Sequence, residues 1–198
     1  MAEVRQLQGR SADAVKLAED ALKTSNEQSI LLLAGRVLIF AGKPERGDAL
    51  AADLLRKLDQ QAQMFGKLLA GEVELKRGNS HGAVENLNAA QKIIDTWLGR
   101  EALGRAYLKA GEYTDAQTEF DACLRRKGEA TTFLIDDIPT YRVMASARFH
   151  MGLAQEGQGS PAAKAAALTS YKEFLTLKAK SDEQGLVADA RRRVAALQ

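Results

Sequence analysis

The run Leu103-Gly-Arg-Ala-Tyr-Leu-Lys-Ala-Gly-Glu-Tyr113, followed by Ala116 and Phe120, sets three small residues in fixed register: Gly104, Gly111 and Ala116. The register recurs along the whole chain. Gly9, Gly42, Gly78, Gly111 and Gly159 form one ladder, with rungs 33, 36, 33 and 48 residues apart. Gly35, Gly71, Gly104 and Gly152 each stand seven residues before a rung. Ala14, Gly47, Ala83 and Ala116 each stand five residues after one, and the fifth rung follows suit after a short insertion, at Ala167. A period of about 34 residues carried by helix-like segments marks a helical repeat array. The physical reason is close packing: a side chain added at Gly104, or a larger one at Ala116, would push paired helices apart. Arrays of this kind offer extended binding surfaces.

The bulk composition agrees. The chain has 198 residues, 45% hydrophobic and 27% charged, as in an ordinary folded protein. Three prolines and a majority of helix formers point to an all-α chain. A net charge of +2 argues against a dedicated nucleic-acid binder, which carries a strongly basic face. The single cysteine, Cys123, excludes an internal disulfide and a thiolate-rich metal site. The N-terminus MAEVRQLQGR does not read as a signal peptide. The most apolar stretch, Ile30 to Gly42, contains Arg36 and is too short to span a bilayer. A soluble, cytoplasmic chain with no membrane partner is the expectation.

Glycine punctuation and apolar periodicity predict helices over about 11–23, 28–41, 44–58, 62–76, 80–95, 96–109, 113–125, 138–156, 162–180 and 183–197. Ser11 reads as an N-cap. Pro44, Pro139 and Pro161 mark helix starts, where the missing N–H costs nothing. The last helix carries Leu186, Val187, Ala190, Val194 and Leu197 on one stripe and reads as a cap over the final pair. The first helix of the first pair is expected to be nearly absent. Met1 is then either the boundary of an excerpt or the edge of a truncated domain. The segment Lys127–Asp137 is an insertion, and its Phe133, Leu134 and Ile135 are too apolar to stay in water. They either pack on the neighbouring pair or fold back over the binding face.

These positions resemble the tetratricopeptide repeat, a helix–turn–helix unit with small residues where its helices cross. The resemblance rests on the two glycine ladders and the small residues after them, covers about residues 9–178, and extends to Ala21, Leu54, Ala90, Cys123 and Phe174. Departures are visible. The family's tryptophan position holds Leu31, Lys67, Arg100 and Arg148, its closing proline is missing, and its tyrosine occurs only at Tyr107. The resemblance implies an all-α, right-handed α-solenoid forming a single domain over 1–198. A half repeat (1–27) precedes repeats at about 28–61, 62–96, 97–126 and 138–180, with a capping helix at 183–197. The last 60 or so residues also resemble the tails of bacterial multidomain proteins, in which such repeats follow a Ser/Thr kinase, cyclase or DNA-binding module. Two functions are therefore carried forward. One is a protein- or peptide-binding scaffold. The other is a regulatory region whose catalytic module lies outside this chain.

Little in the sequence points to catalysis or to a cofactor. Gly35…Gly42-Lys43 lacks P-loop spacing and the following Ser/Thr. Kinase motifs are missing. His81 and His150 share no metal-type spacing; His81 reads as an exposed helix-start residue and His150 as interface packing. Cys123 reads as a buried inert thiol. Asp136 and Asp137 suit the N-terminus of the helix that follows. Arg191, Arg192 and Arg193 point in three directions from one helix, as a solvated face does.

The resemblance further implies that first helices line a concave groove. Its positions map to Leu32, Arg36, Ile39 and Phe40; Leu68, Glu72, Leu75 and Lys76; Leu98, Glu101, Arg105, Leu108 and Lys109; and Phe149 and Leu153. Arg36, Lys76, Arg105 and Lys109 would suit an acidic peptide or a C-terminal carboxylate. The candidate peptide-binding residues are Arg36, Phe40, Glu72, Lys76, Arg105, Lys109 and Phe149. The alternative is that the cations only solubilise the face and pair with Glu72 and Glu101.

Overall fold

The computed structural model describes residues 1–126, 128, 141–179 and 185–198. Expectations for Lys127–Asp137, Ile138, Pro139 and the start of the last helix at Glu183 lie outside these residues. The helices, numbered in chain order, are α1 (Ala2–Leu7), α2 (Ser11–Thr24), α3 (Gln28–Phe40), α4 (Pro44–Leu55), α5 (Gln60–Arg77), α6 (Ser80–Ile93), α7 (Trp97–Ala110), α8 (Tyr113–Arg125), α9 (Tyr141–Gly157), α10 (Pro161–Leu177) and α11 (Gly185–Leu197).

The turn ladder is a set of backbone conformations. Gly9, Gly42, Gly78, Gly111 and Gly159 are the described residues with positive φ, between 76° and 85°. Each ends the first helix of a pair in the left-handed conformation that other residues adopt only with strain. Pro44 and Pro161 occupy first-turn positions. Asp59, Asn79, Thr96 and Ser160 each accept a backbone N–H in the first turn of the following helix. Ser11 is not a cap: it is the first helical residue, and Arg10 precedes it without a side-chain bond. The α4 helix stops at Leu55, three residues early, because Asp59 starts α5 at Gln60. Leu58 is left 95% exposed in the turn between them.

The chain divides into two compact units, Met1–Asp95 and Thr96–Gln198. In the first unit α1 to α6 pack consecutively, and the first helices α1, α3 and α5 also pack side by side. In the second unit α7 to α11 pack consecutively, and α9 also touches both α7 and α11. The nearly absent first helix is present as the six residues of α1.

The first-helix glycines are the points of closest approach. A Cβ at Gly104 would lie 2.7 Å from the Phe120 ring, and one at Gly35 would lie 2.8 Å from Leu69. At Gly71 and Gly152 the corresponding distance is 2.5 Å, to Leu87 and to Tyr171. The residues opposite are fully buried, so the small residue lets a large one fill the space between helices. The cap behaves as its stripe requires. Val187 and Ala190 of α11 join Phe149, Ala167, Tyr171 and Phe174 in one core, edged by Leu186, Val194 and Leu197.

Candidate functional site

The face presented by α3 and α5 is built around a buried ion pair. Arg36 follows Gly35 on α3, and Glu72 follows Gly71 on α5. The Arg36 Nε donates to both carboxylate oxygens of Glu72, at 3.1 Å each. The two side chains are 4% and 2% exposed. Taking two charges out of water is costly unless each satisfies the other. A third member joins from α1, where the Glu3 carboxylate lies 3.7 Å from Arg36 Nη1. Phe40 lies 5.9 Å below the Arg36 guanidinium, a cation–π distance. Phe40 is itself 45% exposed. Lys76, also exposed, donates to the Phe40 carbonyl at 3.2 Å.

The second unit holds its own cluster. Arg105 donates through Nε to both oxygens of Glu101, one turn earlier on α7, at 3.1 and 3.0 Å. His150 of α9 approaches the same carboxylate, with Nδ1 at 3.4 Å. Its ring stacks on Phe120 at 5.5 Å and meets Phe149 edge-on at 5.7 Å. It is an interface residue between α9 and the α7–α8 pair, as the sequence implied. Lys109 is exposed at the end of α7.

The seven candidate residues therefore separate. Phe40, Lys76 and Lys109 stand at the surface and Arg105 is half-buried. Arg36, Glu72 and Phe149 are buried, which corrects the expectation that they line an open face. Leu32, Ile39, Leu68 and Leu98 are core residues too. The cause is stacking of consecutive first helices. α1 and α5 flank α3, and α11 lies over α9 where a further first helix would stand. Positions near the middle of α3, α5, α7 and α9 are covered, while Phe40, Lys76 and Lys109 at the ends of α3, α5 and α7 stay open. The pairing of cations with Glu72 and Glu101, weighed as the alternative, is what Arg36 and Arg105 do.

The sequence pattern also marks Glu3, the group that α1 brings to Arg36. Glu3, Arg36, Glu72 and Arg105 are each the residue after the small residue of a first helix (Ala2, Gly35, Gly71 and Gly104), and they alternate in sign. The signal lies in the same ladder, but it shows only once a first helix stands before Gly9, and α1 is that helix.

The remaining expectations concern groups away from this face. His81 is exposed, 3.3 Å from Glu85. Of the three arginines, Arg193 is not merely solvated. It joins Glu156 of α9 at 2.7 Å, which also accepts from the Tyr171 hydroxyl at 2.6 Å. Burial, then Glu156, holds that phenol well above its ordinary range. Cys123 is fully buried against Trp97, whose indole N–H donates to the Cys123 carbonyl at 2.8 Å. Burial, then the carboxylates of Glu101 and Glu119, pushes its thiol far above the usual range. At pH 8 the native protein is therefore expected to be inert to Ellman's reagent and to release one equivalent of thiol on unfolding in guanidinium. Prompt native-state labelling would contradict that burial. Among the described residues no His/Cys/Asp/Glu group could hold a metal ion, and no helix is long and apolar enough to cross a membrane.

The helix-pair arrangement has relatives among solved structures. A crystal structure of MamA matches with a TM-score of 0.54 at 18% identity, over 93% of this chain and 98% of the other. A second crystal structure of MamA protein matches with a TM-score of 0.53 at 18% identity, over 91% and 89%. MamA is an all-helical protein of tetratricopeptide type, so the fold is an all-α, tetratricopeptide-like helical repeat. No protein-family model matches the chain, and no curated protein matches it.

Proposed function

We propose that this chain is a non-catalytic protein-binding scaffold that takes an acidic peptide segment at the C-terminal ends of its first helices α3 and α5. The observation that carries the reading is one register position. Five residues after the glycines of α3, α5 and α7 come Phe40, Lys76 and Lys109, and all three are exposed. An exposed aromatic ring beside an exposed ammonium offers an apolar anchor and a carboxylate partner together. The Arg36 guanidinium is covered in the docked state, so Lys76 is the exposed cation beside the Phe40 ring. Affinity for a short segment is expected near micromolar, about 8 kcal/mol.

Fluorescence anisotropy with panels of acidic, neutral and basic peptides tests this. Lys76→Glu is expected to weaken acidic-peptide binding about tenfold. The melting temperature should fall only slightly, because reversing an exposed charge in the last turn of a helix costs about 0.3–1 kcal/mol. Unchanged affinity across the acidic panel would remove the proposal. In a bacterial signalling protein with a tethered kinase, cyclase or transcription-regulator module, the same binding event would serve as its input. The native gene context decides between the two settings.

A further inference from the structure

The short helix α1 packs on α3 as α3 packs on α5, yet it is held very differently. It has six residues and none of them is buried. Its charged contact is long: Glu3 lies 3.7 Å from Arg36 Nη1, whereas Glu72 lies 3.1 Å from Nε. Docking also leaves the Gln6 Oε1 buried without a hydrogen-bond partner among the described residues, an uncompensated loss of hydration. Leu7, the last residue of α1, stays 41% exposed. Arg36 thus sits between a carboxylate fixed by the scaffold and a carboxylate on a loosely held segment.

We propose that Arg36 is a carboxylate-binding site whose resident occupant is Glu3, and that an acidic partner segment displaces α1 and sets its own carboxylate on Arg36. This rests on the reading that acidic segments bind the first-helix face. It adds that the chain carries its own competitor and that α1 tunes affinity. A ligand that binds only the undocked state pays for undocking, so loosening α1 must tighten binding. The partner chemistry follows from what α1 supplies: one carboxylate for Arg36 and an aliphatic side chain to replace half-buried Val4.

The probe is a fluorescein-labelled peptide of Glu and Leu, with its Gln-for-Glu counterpart as control, titrated into the full chain. Glu3→Gln alters a side chain that is already 24% exposed, so the fold tolerates it. This variant is expected to bind the acidic peptide roughly threefold to tenfold more tightly. In the wild type, saturating peptide should speed hydrogen exchange of the α1 amides. Binding to the wild type with equal affinity for Glu3→Gln and unchanged α1 exchange would overturn the displacement and leave the first-helix reading standing. Equal binding of the Gln counterpart would overturn carboxylate recognition at Arg36. Binding to neither protein would overturn the proposed function itself.

Discussion

Replacing Glu72 with alanine is expected to lower stability by about 3–5 kcal/mol, the cost of leaving a buried charge without its partner. Arg36 is only 3% exposed and cannot turn its guanidinium to water without opening the α3–α5 contact. Glu3 does not replace the lost carboxylate, because it approaches Nη1 at 3.7 Å rather than Nε. The double variant Arg36→Met, Glu72→Met separates charge from packing. A buried pair exchanged for apolar groups of similar volume is often neutral or better, so the double variant should regain most of the loss. A guanidinium titration followed by far-UV circular dichroism reads the cycle. Equal losses for single and double variants would mean that shape, not charge, fixes the site.

The second large effect belongs to Phe120. Its ring is fully buried, faces the Cα of Gly104 and stacks on His150. Phe120→Ala is expected to cost about 3–5 kcal/mol, as large-to-small core changes of this size do. The single tryptophan, Trp97, lies in the same unit with its indole bonded to the Cys123 carbonyl. Its emission therefore reports the loss directly. At about 2–4 °C per kcal/mol for a chain of this size, the Trp97 transition should fall by roughly 6–20 °C. A shift below about 3 °C would show that the glycine and the ring do not form a tight joint.

The scaffold was legible because its determinants are local. A glycine that must take positive φ and a glycine that must admit a neighbouring ring both leave their mark at fixed spacing, and both ladders meet their expected places. The candidate face was only partly legible. Assigning Phe149 to an open surface required knowing whether anything stacks on α9, and α11 does. Assigning Arg36 and Arg105 to a partner required knowing their neighbours, and Glu72 and Glu101 hold them. The cover over α9 and the Arg36–Glu72 pair depend on how one helix lies against another, whereas the Glu101–Arg105 pair is made within α7. The ladder along the chain contains the charge alternation but not which groups answer it.

The central claim is that a partner engages the C-terminal ends of the first helices α3 and α5. Hydrogen-exchange mass spectrometry of the chain with and without a bound acidic peptide tests it most directly. Slowed exchange is predicted at the C-terminal ends of α3 and α5, around Phe40 and Lys76. Protection confined to the second helices α2, α4 and α6, with those two ends unchanged, would contradict it.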